Sequence, residues 1–273
     1  MKRAAVALSL AAALEAPEAR AQLLEVFAPD RGRESFESPQ NFAFELRGGP
    51  YYPVTDSEFG AGARRPIEEI FGTNDRLYLG VEFDWQLVRF NWVGSLGLGV
   101  AGGWASLSRP ARVTSQSDTG ETALGAETGQ NTTLTVLPLA ALAVVRLDGL
   151  ARNTAVPVIP YLKLGVAYTV WWSSFGDGLS RLNEQSPTRT GEDPALFGRA
   201  AQGGSLGLQW AAGVMLRLDA FEPRAQRAWD ANMGVNHSHL FIEWTQNDAG
   251  TLGSRPQLRL GWASWVVGVE LEF

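Results

Sequence analysis

The chain has 273 residues, among them 30 glycines and 10 tryptophans, no cysteine, and a formal net charge of −6. The missing cysteine argues against a disulfide scaffold, a thiol nucleophile and a thiolate metal site. The acidic balance, with no dense Lys/Arg cluster, argues against a phosphate-binding surface and against nucleic acid as a partner.

Lys2 and Arg3 precede an apolar run, residues 4–14, and Ala19-Arg20-Ala21 puts small residues at the two positions a signal peptidase reads. Residues 1–21 therefore read as a signal peptide, residues 22–40 as a periplasmic leader and residues 41–273 as one β domain. Beyond the signal, no stretch supplies 18 uninterrupted apolar residues. The most apolar, residues 136–147, contains Pro138 and Arg146, so any membrane crossing must be made by strands.

Two-residue alternation then recurs to the last residue. In residues 41–48, Phe42, Phe44 and Leu46 share a face opposite Glu45 and Arg47. Residues 76–88 are clearest: Leu77, Leu79, Val81, Phe83, Trp85 and Leu87 point one way and Tyr78, Gly80, Glu82, Asp84 and Gln86 the other, a period no helix accommodates. Residues 92–104 set Leu96, Leu98 and Val100 against Ser95, Gly97, Gly99 and Ala101, small side chains suited to a crowded inner wall. Residues 132–147 are apolar on both faces. Residues 161–172 alternate Leu162, Leu164, Val166, Tyr168, Val170 and Trp172 with Lys163, Gly165, Ala167 and Thr169, and residues 205–218 alternate Leu206, Leu208 and Trp210 with Gln209, Gly213 and Arg217. Residues 237–245 place Leu240, Ile242 and Trp244 opposite His237, His239, Phe241 and Glu243. In residues 258–273 the apolar parity changes between Trp262 and Trp265, which calls for a bulge near residues 261–264.

These eight strands predict an antiparallel transmembrane β-barrel of outer-membrane type. Connections 49–75, 106–131 and 173–204 are long and solvated, as external loops should be, whereas 89–91 is a tight turn. Connection 219–236 reads partly as a short periplasmic helix over residues 221–232, with Pro223 near its start. Large side chains from every strand would overfill an eight-stranded bore, so they should face lipid, leaving glycines and paired charges inside. Trp85, Trp92, Trp104, Trp171, Trp172, Trp244, Trp262 and Trp265 lie mainly towards strand ends, where interfacial girdles form.

The C-terminal residues Val267, Val269, Leu271 and Phe273 resemble the terminal signal of bacterial outer-membrane proteins, which implies recognition by the barrel-assembly machinery. Asp84-Trp85, residues 93–97, Leu137-Pro138-Leu139, residues 218–223 and residues 234–238 make residues 40–273 similar to a group of predicted outer-membrane β-barrels from myxobacteria and related deltaproteobacteria. That resemblance implies a fold and a place in the cell outer membrane, among outer-membrane lipids and lipopolysaccharide. It carries no catalytic residue, cofactor or metal ligand.

His237, Ser238, His239 and Glu243 form the one local set that suggests acyl hydrolysis. Alternation sends Ser238 to the face opposite both histidines, out of reach of a base, and a metal held by His237 and His239 lacks a placeable third donor. Glu45, Arg47, Glu82, Asp84, Lys163, Arg217 and Glu243 read instead as an interior electrostatic network, because buried charges must pair. The expectation is a small monomeric, non-enzymatic barrel whose surface loops serve envelope integrity or surface contact. Alternatives are a narrow channel for small solutes, a lipid-modifying enzyme, or a soluble periplasmic barrel or sandwich binding an apolar ligand.

Overall fold

Strands that alternate large apolar with small or polar side chains present two incompatible faces, and a sheet of them leaves no edge unpaired only by closing on itself. The computed structural model describes residues 41–59, 65–90, 92–116, 122–154, 156–181, 198–218, 233–253 and 257–273. Eight long strands close in it: β1 (Phe42–Tyr51), β2 (Arg76–Phe90), β3 (Gly94–Gln116), β4 (Thr122–Arg146), β5 (Val158–Phe175), β7 (Gln202–Arg217), β8 (His237–Asn247) and β9 (Trp262–Glu272). A two-residue β6 (Gly178–Leu179) folds back on β5. Each long strand pairs antiparallel with its successor, and β9 returns to β1 from Ala43↔Glu272 to Gly48↔Val267. Phe273 backbone N–H donates to Phe42 O at 2.9 Å and Asn41 N–H donates to Phe273 O at 3.0 Å, finishing the seam.

The side chains take the faces that alternation demands. Leu77, Leu79, Val81, Phe83 and Trp85 on β2, Leu98 and Val100 on β3, Leu162, Leu164 and Val166 on β5 and Val267 on β9 all point outward. Glu45, Glu82, Asp84, Lys163 and Glu243 are buried inside. A continuous apolar belt of this extent is far beyond the few hundred Å² tolerated on a water-soluble surface. Joined to a charged bore, it makes this a transmembrane β-barrel of the outer-membrane type rather than a soluble barrel or sandwich.

The connections differ at the two ends. At the short-turn end, Val93 N–H donates to Phe90 O at 3.1 Å, and helix α2 (Gly149–Asn153), which joins β4 to β5, sets Ala151 into the mouth. At the long-loop end, a 3-10 turn (Val54–Glu58) leads towards helix α1 (Pro66–Phe71). The Asp56 carboxylate accepts from the Ile67 and Glu68 backbone N–H groups at 2.9 and 2.7 Å, satisfying the open end of α1. Helix α1 lowers Ile67 and Phe71 onto Tyr51, Tyr78, Leu107 and Trp262, so apolar side chains stop the upper bore. The Trp262 ring packs tilted against Tyr78 at 4.8 Å and Tyr51 at 5.8 Å between centroids.

Three expectations change. The parity shift in the last strand needs no bulge, because β9 pairs with β8 from Asn247↔Trp262 to His237↔Glu272 without a register break. Leu260, Trp262 and Val266 are interior like Glu270; what changes along the strand is the filling of the bore, apolar above and charged below. Trp262 thus belongs to the plug rather than a girdle, and Trp171 also packs against the interior cluster. Connection 106–131 is largely not a loop, since β3 and β4 pair from Ser106↔Thr135 up to Gln116↔Thr122. The signal peptide, the leader and the helix over 221–232 lie outside the described residues.

Inner-wall glycines make room for the filling. A Cβ on Gly268 would sit 2.2 Å from Leu46 O and 2.5 Å from the Phe241 ring, whereas one on Gly129 would meet nothing within 4 Å. Gly268→Ala should lower unfolding stability by about 1–3 kcal/mol through overpacking. Gly129→Ala should leave it unchanged, and urea titration of the folded and unfolded gel bands compares the two.

Candidate functional site: ion pairs across the bore

The register of β1 creates the problem that the rest of the interior resolves. Glu45 stands directly opposite Glu82 on β2 and directly opposite Glu270 on β9, three carboxylates side by side at one level. Like charges so placed repel, and burial deprives them of water. All three are at most 1 % exposed.

Cations from the far wall answer them. In the order β1-β2-β3-β4-β5-β7-β8-β9, β5 lies diametrically opposite β1 and β4 opposite β9. Lys163 on β5 reaches across the bore to both Glu45 carboxylate oxygens at 2.8 Å and to Glu82 Oε1 at 2.7 Å. Arg146 on β4 reaches Glu270 at 2.7 Å and also grips Asp84. Arg47 pairs with Glu82 at 2.7 Å, with Glu243 at 3.0 Å and with Glu45. Hydrogen bonds supply further donors: Tyr161 Oη to Glu243 at 2.8 Å, Thr245 Oγ1 to Glu243 at 2.7 Å and Gln86 Nε2 to Glu272 at 2.7 Å. The Arg47 guanidinium lies 5.6 Å from the Phe241 ring, and Lys163 Nζ 5.2 Å from the Tyr161 ring, so each cation also faces an aromatic ring.

Of the residues expected in this network, Glu45, Arg47, Glu82, Asp84, Lys163 and Glu243 meet. Arg217 is placed lower in the bore. It sits at the short-turn mouth, where Asp148, His237 and His239 line with it a cavity of about 20 Å³, room for roughly one water. Arg146, Glu270 and Glu272 escaped the sequence reading. Glu270 and Glu272 were legible in principle, since an outward Phe273 forces even positions inward. Arg146 was hidden by the apolar faces of its strand.

The hydrolase-like set does not assemble. His237 and His239 face the interior, Ser238 takes the opposite face, His239 Nδ1 lies 3.2 Å from Glu270, and Glu243 is engaged by Arg47, Tyr161 and Thr245. Glu45, Asp84 and Glu270 bring single oxygens within 4.8 Å of one another, the one metal-like grouping among the described residues. The Arg146 guanidinium occupies its centre, 2.7 Å from Glu270, 3.6 Å from Glu45 and in contact with Asp84, so the position of a cation is taken by the protein's own.

No protein-family model matches the chain, and no curated protein matches it either. Among solved structures it is similar to Ail, the attachment invasion locus protein of Yersinia pestis, at 12% identity and a TM-score of 0.37, covering 87% of this chain and 100% of that one. It is likewise similar to Neisserial surface protein A at 12% identity and a TM-score of 0.40, covering 86% of this chain and 98% of that one. The strand pairing within this chain establishes its fold independently of either.

Lys2 and Lys163 are the only lysines in the sequence. An amine-reactive reagent should leave Lys163 unmodified in the folded barrel and label it after denaturation, as peptide mass spectrometry would register. Lys163→Met, which strips Glu45 and Glu82 of a shared cation, should cost about 3–5 kcal/mol, the usual penalty for breaking a buried pair.

Proposed function

We propose that this protein is a small non-catalytic barrel of the cell outer membrane whose long-loop end makes surface contacts or supports envelope integrity. The observation that carries this reading is the β3–β4 ribbon. Outward apolar side chains on β3 end at Trp104, yet pairing continues to Gln116. Roughly ten further residues at ~3.3 Å each extend the ribbon about 33 Å beyond the belt. Polar side chains meet along it: Ser108 and Thr133 hydroxyls lie 2.9 Å apart, and Arg112 pairs with Glu127 at 3.2 Å in solvent.

Pro110 and register shifts at Pro110/Arg112 and Arg112/Thr114 interrupt the ladder. Such irregularities discourage strand addition, so a partner would be met by side chains rather than by β-pairing. In even-stranded barrels short turns face the periplasm and long loops the exterior, which orients the ribbon outward. On the same reading, residues 1–21 direct export, residues 22–40 remain in the periplasm, and the strand ending in Phe273 is recognised by the barrel-assembly machinery. The protein then stands as a monomer among outer-membrane lipids and lipopolysaccharide, akin to the barrels of myxobacteria and related deltaproteobacteria. The narrow-channel reading lacks support, because side chains of described residues fill the bore at the plug and at the ion-pair level.

Replacing residues 108–131 with a short turn tests the assignment. The shortened protein should still reach the outer membrane and migrate differently with and without boiling, while the cells lose surface attachment or gain detergent sensitivity. A shortened protein that leaves both cell properties unchanged contradicts the reading.

A further inference from the structure

Among the described residues, the outer wall carries a groove close to the long-loop end. It holds about 550 Å³ near the long-loop end of β5, β6 and β7, where Tyr168, Trp172, Leu179, Gln202 and Gly204 line it. Gly204 shapes it. A Cβ there would lie 2.0 Å from Tyr168 Oη, so the missing side chain lets Tyr168 lie down across β7 rather than stand into lipid.

Its level follows from β5. The outward run from Leu162 to Trp172 covers ten residues, which at ~3.3 Å per residue and ~40° of tilt spans about 25 Å, the height of the apolar band. Tyr168 therefore stands just above its middle and Trp172 at its top, with Gln202, paired to Trp172, at the boundary. Immediately above, Ser173 N–H donates to Ala201 O at 2.8 Å, Ala201 N–H donates to Ser180 O at 2.7 Å, and Arg181 bridges to Ala200. This stitching puts the exposed Arg181 two residues beyond the groove-lining Leu179 and the exposed Arg199 three residues before Gln202, both at the loop end of the groove. Arg181 spends one donor on Gly198 O at 2.8 Å, and a guanidinium has five. Asp177, the described acid of the hairpin, lies at the β5–β6 turn.

An apolar slot continuous with the lipid belt, with two exposed arginines at its loop end, complements a molecule with an acyl chain and an anionic head. Arginine forks suit phosphate oxygens bidentately. We propose that the groove seats one acyl chain of a phosphorylated glycolipid of the outer leaflet, with its phosphate held by Arg181 and Arg199. The proposal rests on the outward orientation of the long-loop end and not on any contact made by the ribbon.

Native mass spectrometry of the detergent-purified full chain tests it, using bisphosphorylated lipid A, its dephosphorylated form and phosphatidylglycerol as separate additions. Wild type should retain one bisphosphorylated lipid A at least fivefold better than either of the others. The double variant Arg181→Gln/Arg199→Gln should bring retention down to the dephosphorylated level, and Leu179→Glu should lower it through the acyl slot. Heat-modifiable migration verifies that each variant is folded, and loss of that property in wild type would contradict the barrel itself rather than the lipid site. Equal retention of all three lipids by wild type, or unchanged retention by both variants, overturns the proposal.

Discussion

Three glutamates in one cross-strand row are the constraint on which the interior depends. Glu45, Glu82 and Glu270 cannot share a buried level unless positive charge is brought between them, and no neighbouring strand supplies enough of it. Lys163 and Arg146 come from the diametrically opposite strands β5 and β4. Each is therefore a strut across the bore as well as a counter-ion. An eight-stranded barrel is narrow enough for such side chains to span. In a wider barrel the same residues would end in water and the pairs would be worth little.

This arrangement ties opposite walls together in a way the backbone ladder does not. Antiparallel pairing fixes each strand to two neighbours, whereas Lys163–Glu45 and Arg146–Glu270 join strands four positions apart. Removal of a strut leaves buried carboxylates with one cation fewer than they need, which costs more than the pair itself contributes. The apolar plug of Tyr51, Tyr78, Phe71 and Trp262 closes the end above the charges. Glycines at 99 and 268 hold the wall back where Asp84 and Phe241 need the space. Described side chains thus fill the bore at the plug and at the ion pairs, and the lipid-facing wall and the long-loop end are faces open to other molecules.

Much of this was legible in the residues. The Leu77 to Leu87 alternation fixed the outward face of β2, and a small-residue face opposite Leu96 and Leu98 marked the wall of a crowded bore. Volume then turned the large side chains towards lipid. Six of the seven charges expected inside do meet there. Other features depended on tertiary context. Arg146 ends a strand whose two faces are both apolar, so its direction was set only by pairing with β3 and β5. Trp262 looked interfacial from its place near a strand end, but α1 and Tyr78 draw it inward. The ribbon was missed because beyond Trp104 the apolar alternation that signals a strand disappears. Threonine and serine can still sustain pairing there.

The central claim is that large side chains face lipid while the charged face is enclosed, and β2 offers the most direct test. The native chain has no cysteine, so single spin labels can be placed at positions 79 to 84 without background. In reconstituted bilayers, labels at 79, 81 and 83 should collide readily with oxygen and hardly at all with a water-soluble nickel complex. Labels at 80, 82 and 84 should be shielded from both. Strong nickel collisions at 79, 81 and 83 would contradict the account, because they would place the apolar face in water.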